Sequence, residues 1–137
     1  MAGHRPVVPD ELYSEISRAI SKEVEEIEES VEYAAKVCAY ELRDNIRADS
    51  PQRSGEYKKG WGVTKLTYSY VVHNKNKPEI THLLEKGHLK RNGTDRVDGI
   101  PHIKKNEKHI ADKFEDMCVA IVSEGVRYKN GPVPRNL

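Results

Sequence analysis

Long apolar runs are missing from this chain. No window approaches the ~18 consecutive apolar residues that a bilayer-spanning helix needs, so a membrane span is excluded. The opening Met1-Ala2-Gly3-His4-Arg5-Pro6 has no apolar stretch of the signal-peptide kind, and the expected location is the cytoplasm. Cysteine is scarce: Cys38 and Cys118 lack CxxC spacing and are too few for a disulfide framework, so reduced, buried thiols are expected. A large excess of one charge is also missing. The net charge of +1 argues against a general nucleic-acid binder, which carries a strong basic surplus. With 137 residues, 36% hydrophobic, 33% charged and a mean hydropathy of −0.77, the chain has room for one domain with a thin core and much surface facing water or a partner.

The near-neutral total hides an asymmetry. Residues 1–50 hold 6 Lys/Arg against 12 Asp/Glu, whereas residues 51–137 hold 17 against 10. Two arrangements follow from this polarity. The acidic face of one copy meets the basic face of the next, which favours rings or stacks, or the two halves pack together and neutralise each other.

Between Asp10 and about Ala48 there is neither Pro nor Gly, and apolar residues recur at Leu12, Ile16, Ile20, Val24, Ile27, Val31, Ala34, Cys38, Leu42 and Ile46. Steps of three and four predict a helix, begun at Pro9-Asp10 and ended by Asp49-Ser50-Pro51. At ~1.5 Å per residue its length is about 58 Å. A domain of this size cannot cover that length, so part of the helix is expected to project or bend. Glu23, Glu25, Glu26, Glu28, Glu29 and Glu32 form a solvated face around its middle.

Beyond Pro51 alternation takes over. Tyr57, Trp61 and Val63 fall on one side of a first strand and Tyr68, Tyr70 and Val72 on one side of a second, which predicts a hairpin. Gly60 and Gly62 flank the single tryptophan; they mark a bulge or a packed neighbour over the indole, with a close ligand approach as the alternative. Ile80–Gly87 reads as a short helix stopped by Gly87. Leu89–Val97 has an Asn92-Gly93 turn between polar arms and reads as an exposed basic β-arm or loop. Pro101-His102-Ile103 is a candidate strand, and from about Lys105 a second amphipathic helix runs to Glu124-Gly125. The single domain thus has a core at about 10–124 and a tail, 125–137, whose Gly and Pro predict flexibility.

Catalytic signals are weak. His82-x-x-Glu85-x-x-His88 has a spacing able to hold a metal, but Gly87 breaks the helix before His88 and no second cluster supplies a water-activating base. His102 and His109 add no convincing ligand set. Both cysteines sit on apolar helical faces, and phosphate-binding glycine loops are absent. The sequence therefore offers no catalytic residue, no metal ligand and no cofactor site. Lys58, Lys59, Lys75, Lys77, Lys90, Arg91 and Arg96, with Tyr57 and Trp61 nearby, are candidate contacts to a partner or to DNA phosphates; solvated loop lysines account for them equally. A small nucleic-acid-binding protein is the alternative reading, and a metal-dependent hydrolase a weaker one.

Four pieces stand in order: Ser50-Pro51-x-x-Ser54-Gly55-x-Tyr57-x-x-Gly60-Trp61, Val72-x-Asn74 with Pro78, Thr81-His82-Leu83-Leu84-Glu85-Lys86-Gly87-His88, and Pro101-His102-Ile103 before an amphipathic helix. In these the chain resembles the tail-completion or tail-component proteins of long, non-contractile-tailed bacteriophages and prophages, over roughly residues 10–124. One departure is Lys105-Asn106-Glu107, where relatives commonly start the helix with Pro-Ala-Glu. The resemblance implies an α+β fold: a long N-terminal helix, a small twisted antiparallel sheet with a β-hairpin, a short helix, and a C-terminal amphipathic helix packed on the sheet. It also implies a non-enzymatic virion protein of the head–tail neck, made in the host cytoplasm. Such proteins form rings, commonly sixfold, around the DNA channel, between a tail-tube or tail-terminator protein and a head-connector protein. On this reading Ser54, Gly55, Tyr57, Gly60, Trp61, His82, Glu85, Gly87, His88, Pro101 and His102 are structural positions, and the family brings no catalytic residues.

Overall fold

The computed structural model describes residues 9–51 and 55–133. Helix α1 (Pro9–Asp49) is followed by a helical turn, α2 (Glu56–Lys59), and then by strands β1 (Trp61–Lys65) and β2 (Tyr70–Asn74). A 3-10 turn (Pro78–Ile80) leads into α3 (Thr81–Lys86), strands β3 (Gly87–Leu89) and β4 (Arg96–Asp98), and helix α4 (Lys104–Ser123). The architecture is α+β. The strands form two separate antiparallel hairpins, with Trp61 opposite Asn74 in one and Gly87 opposite Asp98 in the other.

Helix α1 is unbroken because nothing between Pro9 and Asp49 interrupts its 3.6-residue period; Asp10 and Glu11 meet the positive end of its dipole. Its two halves differ in what they touch. From Ser30 onward Ala34, Val37, Cys38, Ala39 and Ile46 are buried, whereas Leu12 (47%), Ile16, Ile20 (58%) and Val24 keep about half their surface in solvent. The overhang expected from the helix's length is therefore present. Ser50 closes the helix by donating its hydroxyl to the Ile46 carbonyl at 2.6 Å.

Helix α4 packs principally on α1 rather than on a sheet. The facing pairs are Cys38 with Met117 (3.8 Å), Glu41 with Lys113, and Asp49 with Asn106 (2.9 Å). These pairs ascend α1 while descending α4, so the two helices are antiparallel. After Gly125, at φ 75°, the chain turns back along α1. There Tyr128 N–H donates to Ser30 Oγ (2.9 Å), Asn130 N–H to Glu29 Oε1 (3.0 Å) and Lys36 Nζ to the Gly131 carbonyl (2.9 Å), while Arg127 pairs with Glu23. A segment whose composition predicts a flexible tail thus makes defined contacts up to Gly131. Residues 134–137 lie outside the described residues.

Three local expectations are corrected. Tyr57 sits in α2 rather than in a strand, and Tyr68, 98% exposed, belongs to the turn between β1 and β2. Pro101-His102-Ile103 is not a strand, because the N–H groups of His102, Ile103 and Lys104 donate to the Glu85 carboxylate instead of to a ladder.

Gly87 does end α3, as the sequence predicts. Its φ of 81° and ψ of 177° lie in a region reserved for glycine, and a Cβ there would collide with the Val97 carbonyl. Gly93, at φ 72° on the tip of the second hairpin, has open space around it. Gly87→Ala is expected to cost about 1–3 kcal/mol, and Gly93→Ala clearly less. Urea midpoints of the two variants check the ranking, which equal losses would contradict.

Candidate functional site

Five of the eleven positions that carry the family resemblance, Tyr57, Gly60, Trp61, Glu85 and His102, gather at or beside one buried node. Tyr57 and Trp61 lie one helical turn apart at the junction of α2 and β1, so their rings meet edge to face at 5.7 Å, and His102 stands edge-on to both, at 5.6 and 6.2 Å. Ile46, Tyr57 and Trp61 form the centre of the core, with Leu42, Val72, Ile80, Leu84 and Ile103 packed around them. The node joins the end of α1, the first hairpin, α3 and the start of α4.

The polar side-chain atoms of Tyr57, Trp61, Asn74 and His102 have partners within the fold, whereas Arg47 Nε is buried without one. The Trp61 indole N–H donates to Ser50 Oγ at 2.9 Å, and its carbonyl accepts from Arg47 Nη2 at 2.6 Å. His102 is fully buried. Its Nδ1 lies 2.7 Å from the Ile100 carbonyl, which can only accept, so Nδ1 carries a proton; Nε2 then accepts from the Tyr57 hydroxyl at 2.7 Å. Burial holds that phenol above its ordinary pKa. Asn74 donates its side-chain amide to the Tyr57 carbonyl (2.6 Å) and accepts from the N–H groups of Asn76 and Lys77. Gly60 is required beside it, since a Cβ would stand 2.5 Å from Asn74 Oδ1.

Glu85 is the second anchor. Its carboxylate accepts from the N–H groups of His102 (2.7 Å), Ile103 (3.0 Å) and Lys104 (3.0 Å), three otherwise unpaired donors at the start of α4. Partial burial acts to raise its pKa, but the three backbone donors outweigh it and hold the carboxyl below the usual glutamate value. This arrangement disperses the His82-x-x-Glu85-x-x-His88 set. His82 is exposed on α3, His88 is exposed in β3, and Glu85 is turned inward to α4. Among the described residues no group of three His, Cys, Asp or Glu is placed to hold a metal ion. Burial raises the pKa of Cys38 and of Cys118, which makes both poor nucleophiles.

The other motif positions serve the frame. Gly55 precedes α2 at φ 81°, Pro101 is exposed just before His102, and Ser54 lies outside the described residues. The basic candidates fall into two groups. Lys58 and Lys59 on α2 are joined to Lys75 and Lys77 after β2 by the hydrogen bond from Asn76 Nδ2 to the Glu56 carbonyl (2.9 Å). Lys90, Arg91 and Arg96 are exposed on the second hairpin, where Arg96 Nη2 donates to the Lys86 carbonyl at 2.9 Å.

An open groove of about 1140 Å³ runs between the first hairpin and α4, floored by α1. Ala39 and Leu42 of α1, Tyr70 and Val72 of β2, and Ala111 and Phe114 of α4 line it. Alternation identifies the inward side of β2, but no sequence signal places it opposite α4 across a gap. The groove is absent from the sequence reading for that reason.

The family model described as "Bacteriophage HK97-gp10, putative tail-component" matches residues 11–87, more than half of the chain. The chain belongs to that family. The match runs from α1 to the start of β3, so it contains Tyr57, Trp61 and Glu85 and leaves His102 beyond its end. No curated protein and no solved structure matches the chain. For a member of a phage tail-component family, the node reads as the joint that fixes the hairpins and α4 to α1. Among the described residues no helix is long and apolar enough to cross a membrane.

Proposed function

We propose that this tail component works at the neck, joining head to tail as part of a ring around the DNA channel and making or breaking no covalent bond. The observation that supports this reading best is the use of the motif residues. Glu85 gives its carboxylate to three backbone donors and His102 uses both ring nitrogens within the fold, so their chemistry goes into rigidity. An overhanging helix with an exposed apolar stripe and a separate basic hairpin suit a part that meets neighbours. One rim of the ring contacts a tail-tube or tail-terminator protein and the other a head-connector protein, with copies drawn from the host cytoplasm during assembly.

Lysines and arginines at Lys58, Lys59, Lys75, Lys77, Lys90, Arg91 and Arg96 supply contacts to those partners or to DNA without reading its sequence. Isolated protein is expected to bind duplex DNA weakly, with an affinity that falls as salt rises. Lys90→Glu with Arg91→Glu is expected to lower the yield of infectious particles while leaving the fold intact, as read by titre and circular dichroism. The test of the neck reading is deletion of the gene from an inducible prophage. Separate filled heads and finished tails are the expected result, and joined, infectious particles would refute it.

A further inference from the structure

Among the described residues two apolar surfaces lack a cover, and their lengths are similar. The first is the stripe on the overhang of α1, where Leu12, Ile16, Ile20 and Val24 follow one another at four-residue steps. The second is the groove between β1–β2 and α4. From Leu12 to Val24 the stripe is about 18 Å long at ~1.5 Å per residue, and a five-residue strand flanking the groove is about 16 Å long at ~3.3 Å per residue. We propose that the stripe of one copy seats in the groove of the next, so that each copy is both donor and acceptor in a head-to-tail assembly. This rests on the ring reading above and names the surfaces that build it.

Geometry excludes the stripe's own groove, because the same unbroken helix carries the stripe and forms the groove floor. Charge selects among the other occupants. Between Pro9 and Glu29 the helix has eight acidic residues and two basic ones, and Arg127, which meets Glu23 and Glu26, offsets a single charge, so the stretch stays net acidic and two overhangs laid side by side repel. Between Gly55 and Pro78, the stretch that holds the hairpin wall of the groove, five lysines stand against the single acid Glu56; Glu32 of α1 offsets Lys65, and the groove lining itself contains Glu107 of α4 as well as Lys75, so the stretch keeps a net positive charge. That wall attracts the acidic helix and disfavours the β3–β4 arm, which brings Lys90, Arg91 and Arg96. A contact that pairs two different surfaces is heterologous, and such contacts close into rings when the rotation allows.

The test uses two variants of the full chain. Ile16→Glu with Ile20→Glu spoils the stripe, which makes no core contact, and keeps the groove; Ala111→Glu puts a carboxylate on the exposed α4 wall of the groove and keeps the stripe. Circular dichroism establishes that each is folded, and Ala111→Trp serves as a second groove variant. In analytical ultracentrifugation each variant alone is expected to raise the concentration for self-association at least about a hundredfold. An equimolar mixture should form dimers and nothing larger, because one intact stripe and one intact groove remain. A mixture that stays monomeric, or a wild-type chain that stays monomeric throughout, overturns the proposal. Wild-type rings with a monomeric mixture would reject this interface alone, whereas failure of the neck reading appears separately, in joined particles that lack the gene.

Discussion

Trp61→Ala is expected to lower the stability of the fold by about 3–5 kcal/mol, the range for removing a large buried aromatic side chain. The loss has three parts. The core around Ile46 and Tyr57 gains a cavity, the edge contacts to Tyr57 and His102 disappear, and Ser50 Oγ loses the indole donor. In a small domain, stability of about 5–15 kcal/mol leaves little margin for such a change. Trp61→Phe retains much of the packing and removes the indole N–H, so its cost is expected near 1–2 kcal/mol. Denaturant unfolding followed by circular dichroism separates the two. An unchanged midpoint for Trp61→Ala would mean that the node does not hold the elements together.

Glu85→Gln has the second large effect, and its size depends on pH. A glutamine oxygen replaces one carboxylate oxygen, but the amide nitrogen cannot accept from the remaining N–H groups at the start of α4. Loss of hydrogen bonds to a charged acceptor is worth about 1.5–3 kcal/mol at neutral pH. Because the folded state holds the Glu85 carboxyl below its unfolded value of 4.5, its contribution is complete above that value and disappears as pH falls through the lower, folded value. Wild type and variant should therefore differ at pH 7 and converge in acid. Unfolding midpoints measured from pH 7 down to pH 3 check this, and a gap that stays constant would assign the loss to packing rather than to the carboxylate.

The node was legible in part. Glycines and aromatics at Tyr57, Gly60 and Trp61, the Glu85–Gly87 helix end and Pro101-His102 are each local signals, and the structure gathers most of them about one joint. Their bonding was not legible, because hydrogen bonds such as that between Tyr57 and His102 join residues 45 apart in sequence. Periodicity placed α1 to within a residue at either end, since a regular repeat with no Pro or Gly leaves little choice. It failed at Tyr57 and at residues 101–103. In both places a short segment follows its tertiary partners: the Tyr57 carbonyl is bound by Asn74, and the 102–104 amides by Glu85.

The tail after Gly125 shows the same limit. Its Gly and Pro content predicts mobility, yet Arg127, Tyr128 and Asn130 meet Glu23, Ser30 and Glu29 on α1, with the Tyr128 ring 5.5 Å from that of Tyr33. Irregular chain has no period to read, and the acidic face of α1 that receives it looks solvated from sequence alone. The charge asymmetry is partly settled within one copy by Arg127 with Glu23, Lys65 with Glu32, and Lys113 with Glu41. Towards the start of α1 the acids Asp10 and Glu15 flank exposed apolar residues, and this is the stretch assigned above to a neighbour.

Electron cryomicroscopy of purified particles tests the central claim most directly. The account predicts a closed ring of copies of this chain at the head–tail junction, surrounding the DNA channel, with the start of each α1 reaching the adjacent copy. Finished particles with no copy of the chain at that junction would contradict it.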